Sequence, residues 1–451
     1  MTILRHILLL ILLLLYGGCR KMLETPVDPV TGGETVYASD AAAAAVLTGL
    51  YYKMSEGGPA TGEWGLSYIC GLSADEFTLH KEGERALAFY KNEADPTDML
   101  IWTLFYQYIR YANTAIEGLT ASTKLTPSVK QQLLGEARFV RAFCYFYLVN
   151  LFGDVPLQVV SDYKQNSKKP RTPSDQVYQQ IITDLQEAKQ LLNPAYLEAN
   201  VQNTTTERVR PNKWAATALL ARVYLFREKW AEAETNASAV IEQQALYDTV
   251  SVQHVFARNN KESIWQLQPV VKNYPLEADI FAAQQLVSAS PFLLSAFEES
   301  DRRRQAWLSS GTVLYPSKYH SMPAGAVMTQ YLVVLRLTEQ YLIRAEARAQ
   351  LGNQDGAMAD LNLVRSRAGL EPINTNSRPK LVTAIFRERQ TEFFAEWGHR
   401  WLDLKRSKNV NAVMAAAGPQ KGGAWKAYKQ WYPLLASDLV LNPNLKQNEG
   451  Y

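Results

Sequence analysis

Aromatic rings and polar side chains gather in two stretches of the chain that lack helical periodicity, and this combination could bind a sugar. A saccharide site needs flat aromatic faces for the C–H-rich side of a pyranose, and donors and acceptors for its hydroxyl groups, gathered in a hollow. For each candidate, packing beneath a loop is the competing interpretation. The candidates are Trp64, Tyr68, Asp75, Glu76, Phe89, Tyr90 and Asn92 in the first stretch and Tyr274, Trp307, Tyr315, Tyr319 and His320 in the second.

The sequence contains none of the common catalytic motifs, which favours a binding protein over an enzyme. It has no His-Glu-x-x-His, no Gly-x-Ser-x-Gly and no phosphate-binding glycine loop, and its five histidines show no metal-ligand spacing. Asp75 and Glu76 could in principle hydrolyse a glycosidic bond, but adjacent positions on one segment do not by themselves face each other across a bond. We therefore expect no enzyme activity, no cofactor and no metal ion.

The charge balance argues against a nucleic-acid partner. The 451 residues include 47 Lys and Arg against 44 Asp and Glu, a formal net charge of +3. A surface that holds a nucleic-acid backbone shows a clear excess of basic residues, and the densest basic cluster here is only Arg302–Arg304. The 47% of apolar and 20% of charged residues are typical of a folded globular protein.

Residues 1–18 are typical of a secretory signal peptide. The apolar run Ile7–Leu15 follows the basic Arg5 and is too short to span a bilayer. Two glycines directly before Cys19 resemble the lipobox of bacterial lipoproteins, which implies that Cys19 is acylated and becomes the first residue of the mature chain. Residues 19–36 would then be an extended, lipid-anchored linker. The competing interpretation is a secreted protein with an unmodified Cys19.

The other cysteines, Cys70 and Cys144, are too few for a disulfide framework. We expect Cys144, which lies between Phe143 and Tyr145, to be a small core residue. Cys70 falls within the first candidate stretch, where it could be exposed. Whether the two cysteines pair is left open.

Two segments of the chain repeat one pattern of small and aromatic residues. Ala221 and Ala233 are twelve residues apart, as are Ala345 and Ala357. Tetratricopeptide-like helix pairs need small residues at such points because their helices cross closely. Two partial copies, at residues 49–52 and 142–145, have second helices displaced to residues 106–116 and 174–192. The pattern predicts a mainly α protein of about four helix pairs, with packed tyrosines at Tyr52, Tyr145 and Tyr224.

Between these helices, two regions depart from the pattern. In the first region, the glycines of residues 57–68 are expected to prevent a helix. Trp102, which follows this segment, is expected to lie in the core. In residues 247–330, segments 263–268 and 311–319 are predicted as short strands or loops. A later run of charges at three- and four-residue spacing predicts an ion-pair network on one helix. Its members are Arg389, Glu392, Glu396, Arg400 and Asp403.

Several blocks resemble the SusD/RagB family, cell-surface nutrient-binding lipoproteins of Bacteroidetes. The segment Tyr331–Leu351 is similar to the family's strand-then-helix block, and Gly135–Pro156 to its second-repeat helix and Phe-Gly-x-x-Pro exit. Arg387–Arg406 is similar to its Arg-rich helix, and Asn442–Tyr451 to its C-terminal signature. The resemblance covers the mature chain from end to end.

The resemblance implies a scaffold of four tetratricopeptide-like helix pairs that supports an irregular binding half. The expected regions are a SusD-like N-terminal part at 37–246 with a loop insert at 56–100, an irregular ligand-binding subdomain at 247–330, and a part at 331–451 that holds the last helix pair, the Arg-rich helix and the tail. It also implies a protein at the outer membrane, facing the cell surface, that passes oligosaccharides to a SusC-like TonB-dependent transporter.

A second hypothesis remains open at the level of the sequence. A tetratricopeptide-type lipoprotein whose concave face holds a protein or peptide, with no glycan role, would share the same helical pattern. The sequence does not name a sugar, because specificity would lie in loops whose geometry local patterns do not predict.

Overall fold

The computed structural model describes residues 36–81 and 83–451. The predicted signal peptide, the acylation site at Cys19 and the linker up to residue 35 lie outside the described residues. Within those ranges, no helix is both long enough and apolar enough to cross a membrane.

Helices dominate the architecture, and two small sheets join its distant parts. In chain order the helices are α1 (Asp40–Ser55), α2 (Leu66–Ser73), α3 (Glu84–Tyr90), α4 (Leu100–Ala121), α5 (Pro127–Phe152), α6 (Tyr163–Asn166), α7 (Ser174–Leu191), α8 (Lys213–Phe226), α9 (Trp230–Ile241), α10 (Pro291–Ala296), α11 (Arg302–Trp307), α12 (Leu337–Gln350), α13 (Gln354–Arg367), α14 (Arg378–Glu392), α15 (His399–Arg406), α16 (Val410–Ala417) and α17 (Ala436–Leu441). The strands are β1 (Phe77–Leu79), β2 (Ser263–Leu267), β3 (Val287–Ala289) and β4 (Leu332–Arg336).

Four helix pairs form the scaffold, as the repeats predict: α1 with α4, α5 with α7, α8 with α9, and α12 with α13. Neighbouring pairs stack through α7 on α8 and α9 on α12. The small residues Ala221, Ala233, Ala345 and Ala357 are all fully buried, which confirms that they lie where helices approach closely. The mainly α, tetratricopeptide-like fold class is therefore confirmed.

The tyrosine prediction is right for two repeats and wrong for the first. Tyr145 and Tyr224 are buried, but Tyr52 is 44% exposed. Its neighbour Tyr51 points inward instead, and the Tyr51 hydroxyl donates to Glu136 Oε2 at 2.8 Å. Successive helical residues point about 100° apart, so only one of two adjacent tyrosines can face the core.

Helix α7 begins close to its expected start, but with a different cap. Ser174 is the first residue of the helix, and Pro173, at the N-cap position, provides no side-chain hydrogen bond. Its backbone N–H donates to the side chain of Asp154, Oδ1, at 2.8 Å. A carboxylate twenty residues earlier in the chain therefore satisfies this helix terminus.

The glycine-rich segment 57–68 does not exclude helix, contrary to expectation. Gly58 and Gly62 have positive φ angles of 69° and 79° and shape the turns. A short 3₁₀ helix, Gly62–Trp64, then leads into α2, which contains Tyr68. The glycines position the start of α2 instead of preventing it.

The two irregular regions predicted as inserts are joined by sheet pairing. Strand β1, from the first region, pairs antiparallel with β3, and Phe77 faces Ala289. Strand β2, predicted within 263–268, pairs antiparallel with β4 directly before α12. Segment 311–319 forms turns, with one bridge from Leu308 to Pro316. Residues of 247–330 pack on the same continuous apolar core as the first three helix pairs.

A cluster of aromatic rings lies at the centre of that core. Trp265 on β2 meets Phe139 and Phe143 of α5 edge-on, at centroid distances of 4.9 and 5.6 Å. Trp102 is buried, as expected, and its Nε1 donates to Asp438. A smaller apolar cluster lies between α12, α13 and α14.

The charge run predicted on one helix is divided between α14, which ends at Glu392, and α15, which begins at His399, so that part of the prediction is wrong. Arg389 pairs with Asp403 and Arg400 pairs with Asp75, while Glu392 and Glu396 belong to a larger buried ion-pair network. Glu392 accepts from Arg336 Nη1 at 2.5 Å and Arg303 Nη1 at 2.8 Å, and it also pairs with Arg367. Although burial alone raises the pKa of a carboxyl group, these guanidinium groups hold the pKa of Glu392 well below its usual range. The network comprises Arg303, Lys318, Arg336, Arg365 and Arg367 with Glu262, Asp301, Glu388, Glu392 and Glu396.

We expect Glu392→Gln to lower the free energy of unfolding by about 3–5 kcal/mol, because it leaves buried guanidinium charges without a counter-charge. Chemical denaturation followed by circular dichroism measures the change. The control is Asp175→Asn, which breaks an ion pair with Arg227 at the surface and should cost less than about 1 kcal/mol. Equal losses in the two variants would contradict this view of the network.

Candidate functional site

A cavity of about 420 Å³ opens between the first irregular region, residues 56–100, and the segment of the second region that leads into strand β3. We call it the insert pocket. Its walls come from the 3₁₀ helix Gly62–Trp64, the start of α3 and the residue just before β3. The lining residues are Glu63, Tyr68, Lys81, Gly83, Glu84, Arg85, Ala86, Asp98 and Leu286.

Arg85 organises this pocket. Its Nε donates to Asp98 Oδ2 at 2.8 Å and its Nη1 to Glu63 Oε2 at 3.3 Å. Its guanidinium also lies over the ring of Trp64, 4.3 Å from the ring centroid. A flat cation held between two carboxylates and an aromatic face is a fixed set of hydrogen-bond groups that a polar ligand can meet.

Two of the predicted aromatic residues, Tyr68 in the pocket lining and Trp64 packed against Arg85, expose little surface. Trp64 is covered on one face by Arg85 and meets Phe89 edge-on, at 6.1 Å and 88°. Tyr68 is buried against Phe281 at 6.3 Å, and burial raises the pKa of its hydroxyl to about 12. Phe89 is buried as well. The structure thus brings these rings together beneath the pocket but does not present them as open stacking faces.

A second group of side chains lies beside the pocket on the β1–β3 sheet. His80 Nε2 lies 2.7 Å from Ser288 Oγ, and the ring centroids of His80 and Tyr315 are 5.8 Å apart. The backbone N–H of His80 donates to the carbonyl of Leu286, which lines the pocket. His80 is exposed and Tyr315 half-buried, so these two rings form an accessible strip along the pocket edge.

Asp75, Glu76 and Asn92 are buried, which corrects the expectation that they face a ligand. Asp75 receives two hydrogen bonds of 2.7 Å from Arg400. Glu76 is 1% exposed, and Asn92 donates to the carbonyl of Ser73 at 2.8 Å. The side chains of all three residues are thus enclosed by protein.

Trp307 and Tyr319 are buried in the second region for a related reason. Trp307 Nε1 donates to the carbonyl of Val252 at 2.8 Å, and the Tyr319 hydroxyl accepts from the backbone N–H of Val333 at 2.9 Å. The ammonium of Lys318 lies 4.6 Å from the Trp307 ring centroid. Trp307 therefore packs against a buried cation of the ion-pair network, and neither ring presents a free face.

The remaining candidates are accessible but are not gathered with the pocket lining. Half-buried Tyr90 has the ammonium of Lys421 5.1 Å from its ring centroid. Half-buried Tyr274 donates to Asp279 Oδ1 at 3.1 Å. His320 is exposed, and its backbone N–H donates to Gln330. Their roles in binding stay predictions.

Cys70 and Cys144 are both free and both buried, so the idea of an exposed Cys70 is wrong. Burial raises the pKa of the Cys70 thiol to about 12. Cys144 lies in the core, as expected. Neither thiol is available for reaction at neutral pH.

Four residues at the pocket and its edge were not predicted from the sequence: Arg85, Glu63, Asp98 and His80. Arg85 lies in the first turn of α3 and belongs to a run of charged residues in the sequence at 81–85, and such a charge run is usually only a solvated face. The proximity of Arg85 to Trp64 depends on the fold of the whole region, so local spacing contains no signal for it. Within the described ranges, no group of three or more His, Cys, Asp or Glu side chains could hold a metal ion.

Comparison with known proteins identifies the family to which this architecture belongs. Residues 37–225 match a family model described as starch-binding associating with outer membrane, and residues 293–451 match the model of the SusD family. The chain belongs to the SusD family. Both models describe relatives of one family, and together they cover the helix pairs, apart from α9, and the C-terminal part.

Similar proteins cover nearly the full length of this SusD-family chain. It is 27% identical to a SusD-like protein of Formosa agariphila, with 98% of each chain covered. Among solved structures, a SusD superfamily protein from Bacteroides vulgatus has a TM-score of 0.79 at 19% identity, covering 91% of this chain and 99% of that one. A laminarin-binding SusD-like protein has a TM-score of 0.75 at 23% identity, with coverage of 91% and 99%.

Glu76 should make the stability of this SusD-family protein depend on pH. Burial, with the charge of Asp75, raises the pKa of Glu76 from 4.5 to about 8. Between pH 4.5 and 8 the unfolded chain is ionised at this position while the folded protein holds the proton, so rising pH favours unfolding. Glu76→Gln removes this penalty, and we expect its advantage over the parent to grow by at least about 1 kcal/mol between pH 5 and pH 8.

Denaturant unfolding at several pH values measures this difference. Glu449→Gln, at an exposed position, is the matched control and should give a curve parallel to that of the parent protein. If Glu76→Gln also ran parallel to the parent, Glu76 would be ionised in the folded state.

Proposed function

We propose that this protein binds an oligosaccharide at the insert pocket and the adjoining strip of His80 and Tyr315, and passes it to a SusC-like TonB-dependent transporter in the outer membrane. The observation that carries the proposal is the arrangement of Arg85 between Asp98 and Glu63, beside accessible aromatic rings. Family membership supports a binding protein, since the matching family model is described as starch-binding.

Each part of this site has a chemical role in the proposal. Guanidinium donors of Arg85 and carboxylate acceptors of Glu63 and Asp98 bind the hydroxyl groups of the sugar. Tyr315 supplies an accessible ring for the C–H face of a pyranose. Trp64 lies beneath Arg85 and holds the guanidinium in place by a cation–π contact.

The carboxylates of Glu63 and Asp98 in the pocket are both ion-paired with Arg85. The adjacent acids Asp75 and Glu76 are enclosed, and Asp75 is committed to Arg400. We therefore propose capture and release of the glycan without cleavage, which suits a protein that hands its ligand to a transporter.

We expect Arg85→Ala and Tyr315→Ala each to weaken glycan binding about 5- to 30-fold, which corresponds to about 1–2 kcal/mol for a charged hydrogen-bonding group or an aromatic face. Laminarin and amylopectin are suitable first ligands, since one structural neighbour is named as laminarin-binding and one matching model as starch-binding. Affinity electrophoresis and isothermal titration calorimetry measure the change.

Tyr163→Ala is the matched control, because Tyr163 is a 72% exposed ring on α6, outside the pocket lining. Unchanged affinity in Arg85→Ala and Tyr315→Ala would exclude this pocket as the glycan site. If the parent protein bound no glycan in a broad panel but retained a peptide or a non-transporter protein, the alternative of a tetratricopeptide scaffold without a glycan role would replace the proposal.

We propose further that Cys19 is acylated and holds the protein at the outer membrane, facing the cell surface. Cys19→Ala should abolish labelling by a radioactive fatty acid and move the protein from the membrane fraction to the soluble fraction, because the acyl chains supply the membrane affinity. Cys70→Ala is the control and should leave both labelling and fractionation unchanged. Retained labelling in Cys19→Ala would place the acyl chain elsewhere.

A further inference from the structure

A second cavity, far larger than the insert pocket, lies on the helical scaffold. It measures about 1030 Å³ and is formed where α5, α7, α8 and α9 come together with the loop after α7. It shares no lining residue with the insert pocket. We call it the scaffold cavity. Its lining residues are Ser128, Gln131, Gln132, Gln186, Lys189, Gln190, Leu191, Leu192, Asn193, Pro194, Leu197, Val201, Gln202, Lys213, Leu220, Tyr224 and Asn236.

The charge of the scaffold cavity is positive and is not balanced by its walls. Lys189 and Lys213 line it, and no Asp or Glu does. Among the described residues, neither lysine has a carboxylate within the 4.0 Å of an ion pair. Glu187, two positions from Lys189 on α7, is instead paired with Arg138 at 2.7 Å. The cavity therefore offers two cations to a ligand.

The two lysines also influence each other. Partial burial lowers the pKa of Lys189, and the charge of Lys213 lowers it further. Lys189 Nζ donates to Asn236 Oδ1 at 3.1 Å, while Lys213 Nζ lies 5.3 Å from the ring centroid of Trp214. Two like charges that share one cavity repel each other, so an anion between them would relieve that repulsion.

Seven of the seventeen lining residues carry amide side chains, which suit the hydroxyl groups of a sugar. An amide side chain supplies both donors and an acceptor. Gln190 has no hydrogen-bond partner among the described residues, and Gln186 donates only to the Tyr224 hydroxyl, at 3.2 Å. Tyr224 is the one aromatic residue of the lining.

We propose that the scaffold cavity is a second saccharide site, specific for acidic oligosaccharides that carry carboxylate or sulfate groups. Lys189 and Lys213 bind the anionic groups, and the amides and the Tyr224 hydroxyl bind the ring hydroxyls. The volume of about 1030 Å³ holds several sugar rings. This site is independent of the insert pocket, for which no charge requirement is proposed.

Calorimetry with the full chain tests the proposal, using a purified oligogalacturonate for the carboxylate arm and a carrageenan oligosaccharide for the sulfate arm. The double variant Lys189→Gln/Lys213→Gln should lose at least about 10-fold in affinity for whichever acidic ligand binds, and binding by the parent should weaken with added salt. The control Lys164→Gln/Lys168→Gln removes the same net charge at two exposed lysines outside the cavity and should bind as the parent does.

A footprint of lysine reactivity gives a second measurement that does not depend on the variants. The bound acidic oligosaccharide should protect Lys189 and Lys213 from reductive methylation and leave Lys164 reactive. Thermal melting of each variant confirms that it is folded, and Arg85→Ala should leave acidic-ligand binding unchanged even if it abolishes binding at the insert pocket.

Several results would overturn the proposal. They are failure of the parent to bind either acidic ligand, equal affinity in the parent and the Lys189→Gln/Lys213→Gln variant, and equal loss in the control double variant. Tight binding of a poly-glutamate peptide with the same dependence on Lys189 and Lys213, without binding of either oligosaccharide, would replace the saccharide by an acidic peptide. None of these outcomes bears on the insert pocket, whose test uses uncharged glycans.

Discussion

One buried guanidinium, that of Arg336, joins parts of the chain on which the rest of the structure depends. Arg336 ends β4, and it bonds to Glu262 just before β2, to Glu392 at the end of α14 and to Glu396 after it. Burying these charges is costly, and the cost is offset only because nearly every donor and acceptor finds a partner. The sheet that precedes the last helix pair is thereby held against the Arg-rich helix.

Buried ion pairs also explain why several candidate ligand-binding residues lie in the protein interior and contact other side chains instead of solvent. Glu396 also accepts from Lys318, and Trp307 packs against the Lys318 ammonium. In the first irregular region, Arg400 from α15 holds Asp75 in a comparable way. Buried ion pairs therefore hold the inner side of each irregular region against the rest of the protein. The side chains left at the surface above them, Arg85 and Tyr315 among them, form the candidate site.

Features that depend on contacts between residues close in the sequence were predicted, and features that depend on contacts between distant residues were not. The helix pairs were predicted because the alanines at 221, 233, 345 and 357 are spaced by contacts within one helical hairpin. The choice between Tyr51 and Tyr52, and the capping of α7 by Asp154, were not predicted, since each depends on a partner distant in the chain. Likewise, the contact between the Trp64 ring and the Arg85 guanidinium was not predicted, because it depends on where α3 packs.

The sequence alone determined the helical repeats, the family resemblance and the lack of a catalytic motif, because all three depend only on residue types and their spacing along the chain. Tertiary structure alone decided which aromatic and acidic residues face solvent. It also decided that β1 pairs with β3 across more than two hundred residues, and that Lys189 and Lys213 share one cavity without an acid. Burial and ion pairing act between residues that are close in space and distant in the chain, so no local pattern contains them.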